Sequence, residues 1–143
     1  MIKLCKYLFV LTVFFAASVF AAQGDIIIPA GEISSNAKFY SSQIDGTTIE
    51  ILAVKASDGS IRTAFNTCQS CYGSGRGYYK QSGNVLICQN CQNRFTIDQV
   101  ELSKSGCNPI PITAKDKRIE GKNIIISKEF LAKSKGKFAN WKK

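Results

Sequence analysis

The sequence predicts a small, mostly β single domain of packed hairpins, carrying two cysteine knuckles and closed by a short C-terminal helix. Three observations predict it. Branched residues fall in short blocks bounded by Gly, Asp and Pro, as in Thr47–Lys55 (TTIEILAVK) and Asn123–Ile126 (NIII), which is the pattern of strands. Turn dipeptides such as Asp58-Gly59 and Ser82-Gly83 separate those blocks at hairpin spacing. Cys68-x-x-Cys71 and Cys88-x-x-Cys91 repeat one step, with sixteen residues between them. One hairpin fits in that gap, so the two steps can meet in space.

The elements follow in order. Residues 25–29 (DIIIP) read as an edge strand ended by proline, because proline cannot donate to a ladder. Residues 36–40 are a second short candidate. Thr47–Lys55 is a clearer strand. Asp58-Gly59 then turns the chain, both positions being read as tolerant of positive φ. Residues 61–65 return with Ile61, Thr63 and Phe65 on one face. Gly73, Gly75 and Gly77 read as a flexible loop after the first knuckle. Residues 77–80 and 84–87 form a hairpin about Ser82-Gly83, and residues 94–97 leave the second knuckle as a short strand. The turn Ser105-Gly106-Cys107-Asn108-Pro109 is expected to fold a fifth sulfur toward the other four. Ser127 is the expected N-cap of a helix over 128–135, stopped at Gly136. Trp141 and the final lysines read as frayed or membrane-proximal.

The paired knuckles have the spacing of a metal site. Two residues between cysteines let both sulfurs of a tight turn face one ion, and two such turns supply four thiolates. Cys68, Cys71, Cys88 and Cys91 are therefore the candidate ligands, in a Rieske-like or zinc-ribbon-like arrangement. Four thiolates suit structural zinc, and they equally suit an iron–sulfur cluster. The same sulfurs would also pair as two disulfides. Cys107 is read as a further candidate ligand, a resolving thiol or a buried structural cysteine. Tyr72, Tyr78 and Tyr79 are candidates for an electron path or a wall shielding the sulfurs, against the ordinary reading as core.

Composition bounds the function. The chain has 143 residues and no histidine. That excludes a His-ligated metal site, a histidine base and a Cys-His catalytic pair, including the two histidines a Rieske centre needs. Residues 22–114 carry seven Lys/Arg and seven Asp/Glu, whereas residues 115–143 carry ten Lys/Arg and three acids. Positive charge therefore belongs to the tail and not to the cysteine domain, and nucleic acid is not an expected partner. Lys3 and Lys6 precede an apolar run over 7–20, and Val19-Phe20-Ala21 offers small residues at a cleavage site. The run is short of the roughly 20 residues a membrane span needs. The expected organisation is a signal peptide at 1–21, a four-cysteine β domain at 22–126 and a basic helix and tail at 127–143. Cys5 would leave with the signal, and an odd set of five cysteines would remain. Complete pairing within one chain would leave one over.

The runs IEILAVKASDGSIRTAFNTCQSCY, GYYKQSGNVLICQNCQNRFTIDQV and GCNPIPI resemble the FtrD-like, membrane iron–sulfur-containing family of bacteria, over about residues 26–126. The resemblance implies an iron–sulfur centre held by Cys68, Cys71, Cys88 and Cys91, with Cys107 a fifth family-pattern cysteine. It also implies a link to iron transport across the inner membrane. The expected function is thus an exported metal-binding accessory of iron uptake, periplasmic or on the outer face of the inner membrane. It would act as an electron carrier or metal-handling subunit, with no substrate chemistry of its own. Inner-membrane transport components, and lipid touched by the basic tail, are the expected partners. The alternatives are a thiol–disulfide oxidoreductase of the envelope and an interaction module with structural zinc. A thioredoxin-like enzyme wants a helix starting at its first cysteine, and here glycines follow Cys71.

Overall fold

The computed structural model describes residues 24–104 and 106–143, so the expected signal at 1–21 lies outside the described residues. Among the described residues, ten strands form three antiparallel sheets with one short α-helix, as the mostly β reading requires. The central sheet has the order β2-β3-β4-β8, from Lys38–Ile44, Thr47–Lys55, Ile61–Cys68 and Pro109–Pro111. A second sheet joins β1 (Ile26–Pro29), β10 (Asn123–Ile126) and β9 (Arg118–Glu120). The third is a meander of β5 (Tyr79–Ser82), β6 (Val85–Cys88) and β7 (Arg94–Thr96). β1 lies at an edge, which is where a strand ending in Pro29 is tolerated.

Turn chemistry sets the registers. β2 and β3 are joined by Asp45-Gly46, with φ of 47° and 77° and Ile44 opposite Thr47. This two-residue turn matches strand twist because both central residues take positive φ. The Asp58-Gly59 turn differs from its expected form. Ala56 N donates to Ser60 O at 2.9 Å and Gly59 N to Ala56 O at 3.0 Å. Only Gly59 has positive φ, at 82°, so the loop holds three residues rather than two. The β5–β6 turn is Gly83-Asn84, with Ser82 opposite Val85, one residue on from the expected pair.

The central sheet is buried on both faces. Ile49, Ile51, Ala53 and Phe65 point into a core with Ile26, Ile28, Ile124, Ile126 and Leu131. Leu52, Val54, Ala64 and Cys68 point the other way, into a second core with Cys71, Cys88, Tyr79, Leu86, Phe95 and Val100. Strand alternation thus places the cysteines under one sheet face and the isoleucines under the other.

The helix α1 spans Lys128–Lys133, and the Ser127 hydroxyl accepts from Phe130 N at 3.3 Å, as the expected N-cap does. It stops at Lys133, and a 3-10 turn carries the chain through Gly136. The end of the chain is not frayed. Phe138 and Trp141 are buried, with ring centroids 5.1 Å apart, and Phe138 also meets Phe65 at 5.6 Å. Gly75 N donates to Asn140 O at 2.7 Å, and Lys143 N to Gly75 O at 2.9 Å. Aromatic burial therefore ties the tail to the loop behind the first knuckle.

The segment leading to Cys107 is anchored by charge. Glu101, at φ 71°, accepts from Thr63 N at 3.0 Å and from Lys117 Nζ at 2.7 Å. The two side chains are 14% and 10% exposed. Glu101→Gln leaves the ammonium in that site without its counter-charge. We expect stability to fall by about 3 kcal/mol, read by urea unfolding with an unchanged m-value.

Candidate metal centre

Each cysteine is delivered by a strand end or a turn. Cys68 ends β4 and Cys88 ends β6, each fully buried. Cys68 N donates to Gly77 O at 2.7 Å, and Cys88 N to Asn93 O at 3.1 Å. Past Cys91, Gln92 takes φ of 61° and returns its N–H to Cys88 O at 3.0 Å, which closes the second knuckle. After the first knuckle the chain turns at once, Ser74 N donating to Cys71 O at 3.0 Å. The two knuckles are joined through Gln89 N, which donates to Tyr78 O at 2.8 Å, and through Tyr79 opposite Cys88.

All five described sulfurs converge. Those of Cys68, Cys71 and Cys88 lie within 4.8 Å of one another, as do those of Cys71, Cys91 and Cys107. Cys71 belongs to both groups. The expected approach of the fifth sulfur is therefore present. Cys68, Cys71 and Cys88 are buried, Cys107 is half-buried and Cys91 is exposed.

The charges these thiols carry follow from their surroundings. Burial pushes Cys88 up to about 12, against the opposing N–H groups of Cys91 and Asn90. Burial also raises Cys71. The hydrogen bond to Cys91, then burial, push Cys107 up to about 12. Burial alone would raise Cys91 too. The Asn93 N–H and the thiols of Cys107, Cys88 and Cys71 outweigh it and hold Cys91 below the ordinary thiol range. Cys71, Cys88 and Cys107 are thus held toward the thiol form, and a metal that takes thiolates must displace their protons.

Sequence reasoning missed several supports. Asn66 is buried; its Oδ1 accepts from Tyr79 N at 2.9 Å and its Nδ2 donates to Glu50 Oε1 at 2.6 Å. It fastens β4, which ends at Cys68, to β5, whose Tyr79 stands opposite Cys88. Gly77 was read as flexible, but it is buried against the first knuckle. Asn66 did not stand out in IRTAFNTC, where Arg62, Thr63 and Thr67 are polar too. Gly77 gave no signal of its own. Of the three tyrosines, only Tyr79 shares the cysteine core, at 1% exposure. Tyr78 lies against Trp141 at 6.1 Å, and Tyr72 lies beneath the Lys137 ammonium at 3.9 Å.

The donor set fits a thiophilic metal or an iron–sulfur cluster: clustered sulfurs, with no carboxylate or imidazole among them. Tyr79 adds a second sign. Its hydroxyl is buried without an N or O partner, and after burial the Cys68 thiol does most to raise its pKa. A buried orphan hydroxyl is costly, and a thiolate or sulfide beside it would accept a hydrogen bond from it.

A family model described as membrane iron-sulfur containing protein FtrD-like matches residues 33–138. The chain belongs to the FtrD-like family. No curated protein matches the FtrD-like sequence. Among solved structures, the quaternary ammonium Rieske monooxygenase CntA, in complex with an inhibitor, is similar over 73% of this chain and 31% of that chain, with 18% identity and a TM-score of 0.43. The FtrD-like chain thus spans less than a third of that enzyme chain. Among its described residues, no helix is long and apolar enough to cross a membrane.

Proposed function

We propose that this chain is an exported iron–sulfur protein that serves bacterial iron uptake as a one-electron carrier. One observation carries the reading: two separate C-x-x-C turns bring their sulfurs to one place, 4.8 Å or less apart within each group of three. Cys68, Cys71, Cys88 and Cys91 are the proposed ligands, and Cys107 stands beside them. A cluster, when bound, supplies a site for one electron. The chain's own residues hold the sulfurs, exclude water through Leu86, Phe95 and Tyr79, and leave the Cys91 side accessible. The family's iron–sulfur description supports a cluster over zinc. The signal-like residues 1–21 support export, and the basic residues 115–143 support contact with anionic lipid or an acidic transport partner.

Anaerobic purification of the native chain tests this. Iron and acid-labile sulfide in matching amounts, with visible charge-transfer absorption, are expected. Colourless protein with stoichiometric zinc would replace the reading with a structural site. Metal-free protein with two exchangeable disulfides would replace it with a thiol–disulfide oxidoreductase.

Tyr79→Phe probes the centre's electronics. Hydrogen bonds to cluster sulfurs raise the reduction potential. Removing the Tyr79 hydroxyl is therefore expected to lower the potential of the loaded protein in a redox titration while leaving its iron content unchanged. An unchanged potential would show that the hydroxyl does not reach the centre.

A further inference from the structure

The proposed centre uses four sulfurs, yet the fold gathers five. The fifth is placed by built contacts. The Gly106 carbonyl accepts from the Ser70 hydroxyl at 2.9 Å, within the first knuckle. The Cys107 carbonyl accepts from Asn93 Nδ2 at 3.2 Å, just past the second. The Asn108 carbonyl accepts from Gln69 N at 3.0 Å. Three consecutive carbonyls, 106 to 108, are each tied to one knuckle or the other. The Cys107 thiol is thereby set within 4.8 Å of the thiols of Cys71 and Cys91.

The five thiols also divide by depth. Cys68, Cys71 and Cys88 form a buried trio, while Cys91 is exposed and Cys107 half-buried. A four-thiolate centre has one position left once the buried trio is used. Two thiols, within 4.8 Å of each other and of Cys71, stand on that side.

We propose that Cys91 and Cys107 are alternative occupants of one ligand position, so that the centre keeps Cys68, Cys71 and Cys88 throughout and exchanges its fourth thiolate. This rests on the reading above that the cysteines hold a metal centre. In the exchange, the metal–sulfur bond to Cys91 breaks as the bond to Cys107 forms. The Cys107 proton moves to the Cys91 sulfur, no electron is transferred, and the net charge is unchanged. The changeable ligand lies on the solvent side, where a partner can approach. Cys107 is grouped with Cys71 and Cys91 and not with Cys68 and Cys88, so the second thiol serves the Cys91 position and not those of the trio.

The test uses the full chain, purified anaerobically, as Cys88→Ala, Cys91→Ala, Cys107→Ala and the double variant Cys91→Ala/Cys107→Ala. Iron per chain and the visible circular dichroism spectrum are read, with far-ultraviolet dichroism as the check of folding. Cys91→Ala and Cys107→Ala are each expected to keep iron, with a changed visible spectrum for Cys91→Ala. The double variant is expected to lose iron by about tenfold or more, as Cys88→Ala does. Iron lost from Cys91→Ala alone as fully as from Cys88→Ala overturns the exchange, and so does iron kept by the double variant. Should folding of the double variant fail, thiol alkylation of the loaded wild type decides. One reactive thiol per chain, distributed between Cys91 and Cys107 by peptide mapping, supports the exchange, and modification of Cys107 alone overturns it. Full iron in Cys88→Ala would instead remove the four-thiolate reading itself.

Discussion

Cys88→Ser is expected to empty the metal centre and to melt the cysteine core ahead of the isoleucine core. Cys88 is fully buried among Leu86, Phe95, Val54 and Tyr79. The hydroxyl that replaces its thiol finds an apolar site, and an unpartnered buried hydroxyl costs about 1–3 kcal/mol. Loss of the metal adds a larger effect. A ligand bound only by the folded chain, at a thousand times its Kd, contributes about 4 kcal/mol. Together these come to about 5–7 kcal/mol, and at about 4 °C per kcal/mol for a domain of this size the midpoint should fall by about 20–28 °C. Chelation of the wild type should produce most of the same drop. The division between the cores makes the expectation sharper. β1 pairs with β10 over four residues and packs with Leu131 on the far face of the central sheet. Amide exchange should therefore lose protection first in β5, β6 and β7, while β1 and β10 stay protected. Full metal content in Cys88→Ser with an unshifted midpoint would end the proposal that this sulfur is a ligand.

What the sequence showed, and what it hid, follows from the range of the forces involved. β3 was legible to the residue, because TTIEILAVK is rich in branched residues and is bounded by turns on both sides. The knuckles and the approach of Cys107 were legible because cysteine spacing restricts where sulfurs can go. Asp45-Gly46 was legible too, and was overlooked. It is a two-residue hairpin signal, and it would have extended the short candidate at 36–40 into β2 at Lys38–Ile44. β8 and β9 were not legible. Pro109–Pro111 carries two prolines, and Arg118–Glu120 is wholly exposed. Each exists because a neighbouring strand offers a ladder, as β4 does to Ile110 opposite Phe65. The burial of Trp141 has the same origin. A tail rich in lysine reads as solvated, until Phe65 and Phe138 supply a surface for the indole and its neighbours. Asn66 and Glu101 are polar groups whose roles depend on partners 13 and 38 residues away, distances no local pattern spans.

Gly77→Ala is expected to disrupt the site without touching a cysteine. A Cβ at Gly77 would lie 2.7 Å from the Cys71 carbonyl carbon and 2.8 Å from Tyr72 Cα. Both are backbone atoms, so no rotamer relieves the clash. The glycine is needed for space, since its backbone is not in the left-handed region. Its carbonyl also holds Cys68 N at 2.7 Å, so movement at residue 77 reaches both sulfurs of the first knuckle. Overpacking of this kind costs about 3 kcal/mol, and displaced ligand supports weaken metal affinity by about 10–100-fold. Gly73→Ala is the matched control: it lies in the same loop, its added Cβ meets nothing within 4 Å, and its effect should stay within about 0.5 kcal/mol. Thermal unfolding and competition for the metal with a chelator separate the two variants. Equal behaviour of Gly77→Ala and Gly73→Ala would mean that the first knuckle tolerates movement, and that ligand geometry is set by the metal and not by the close backbone packing behind Cys71.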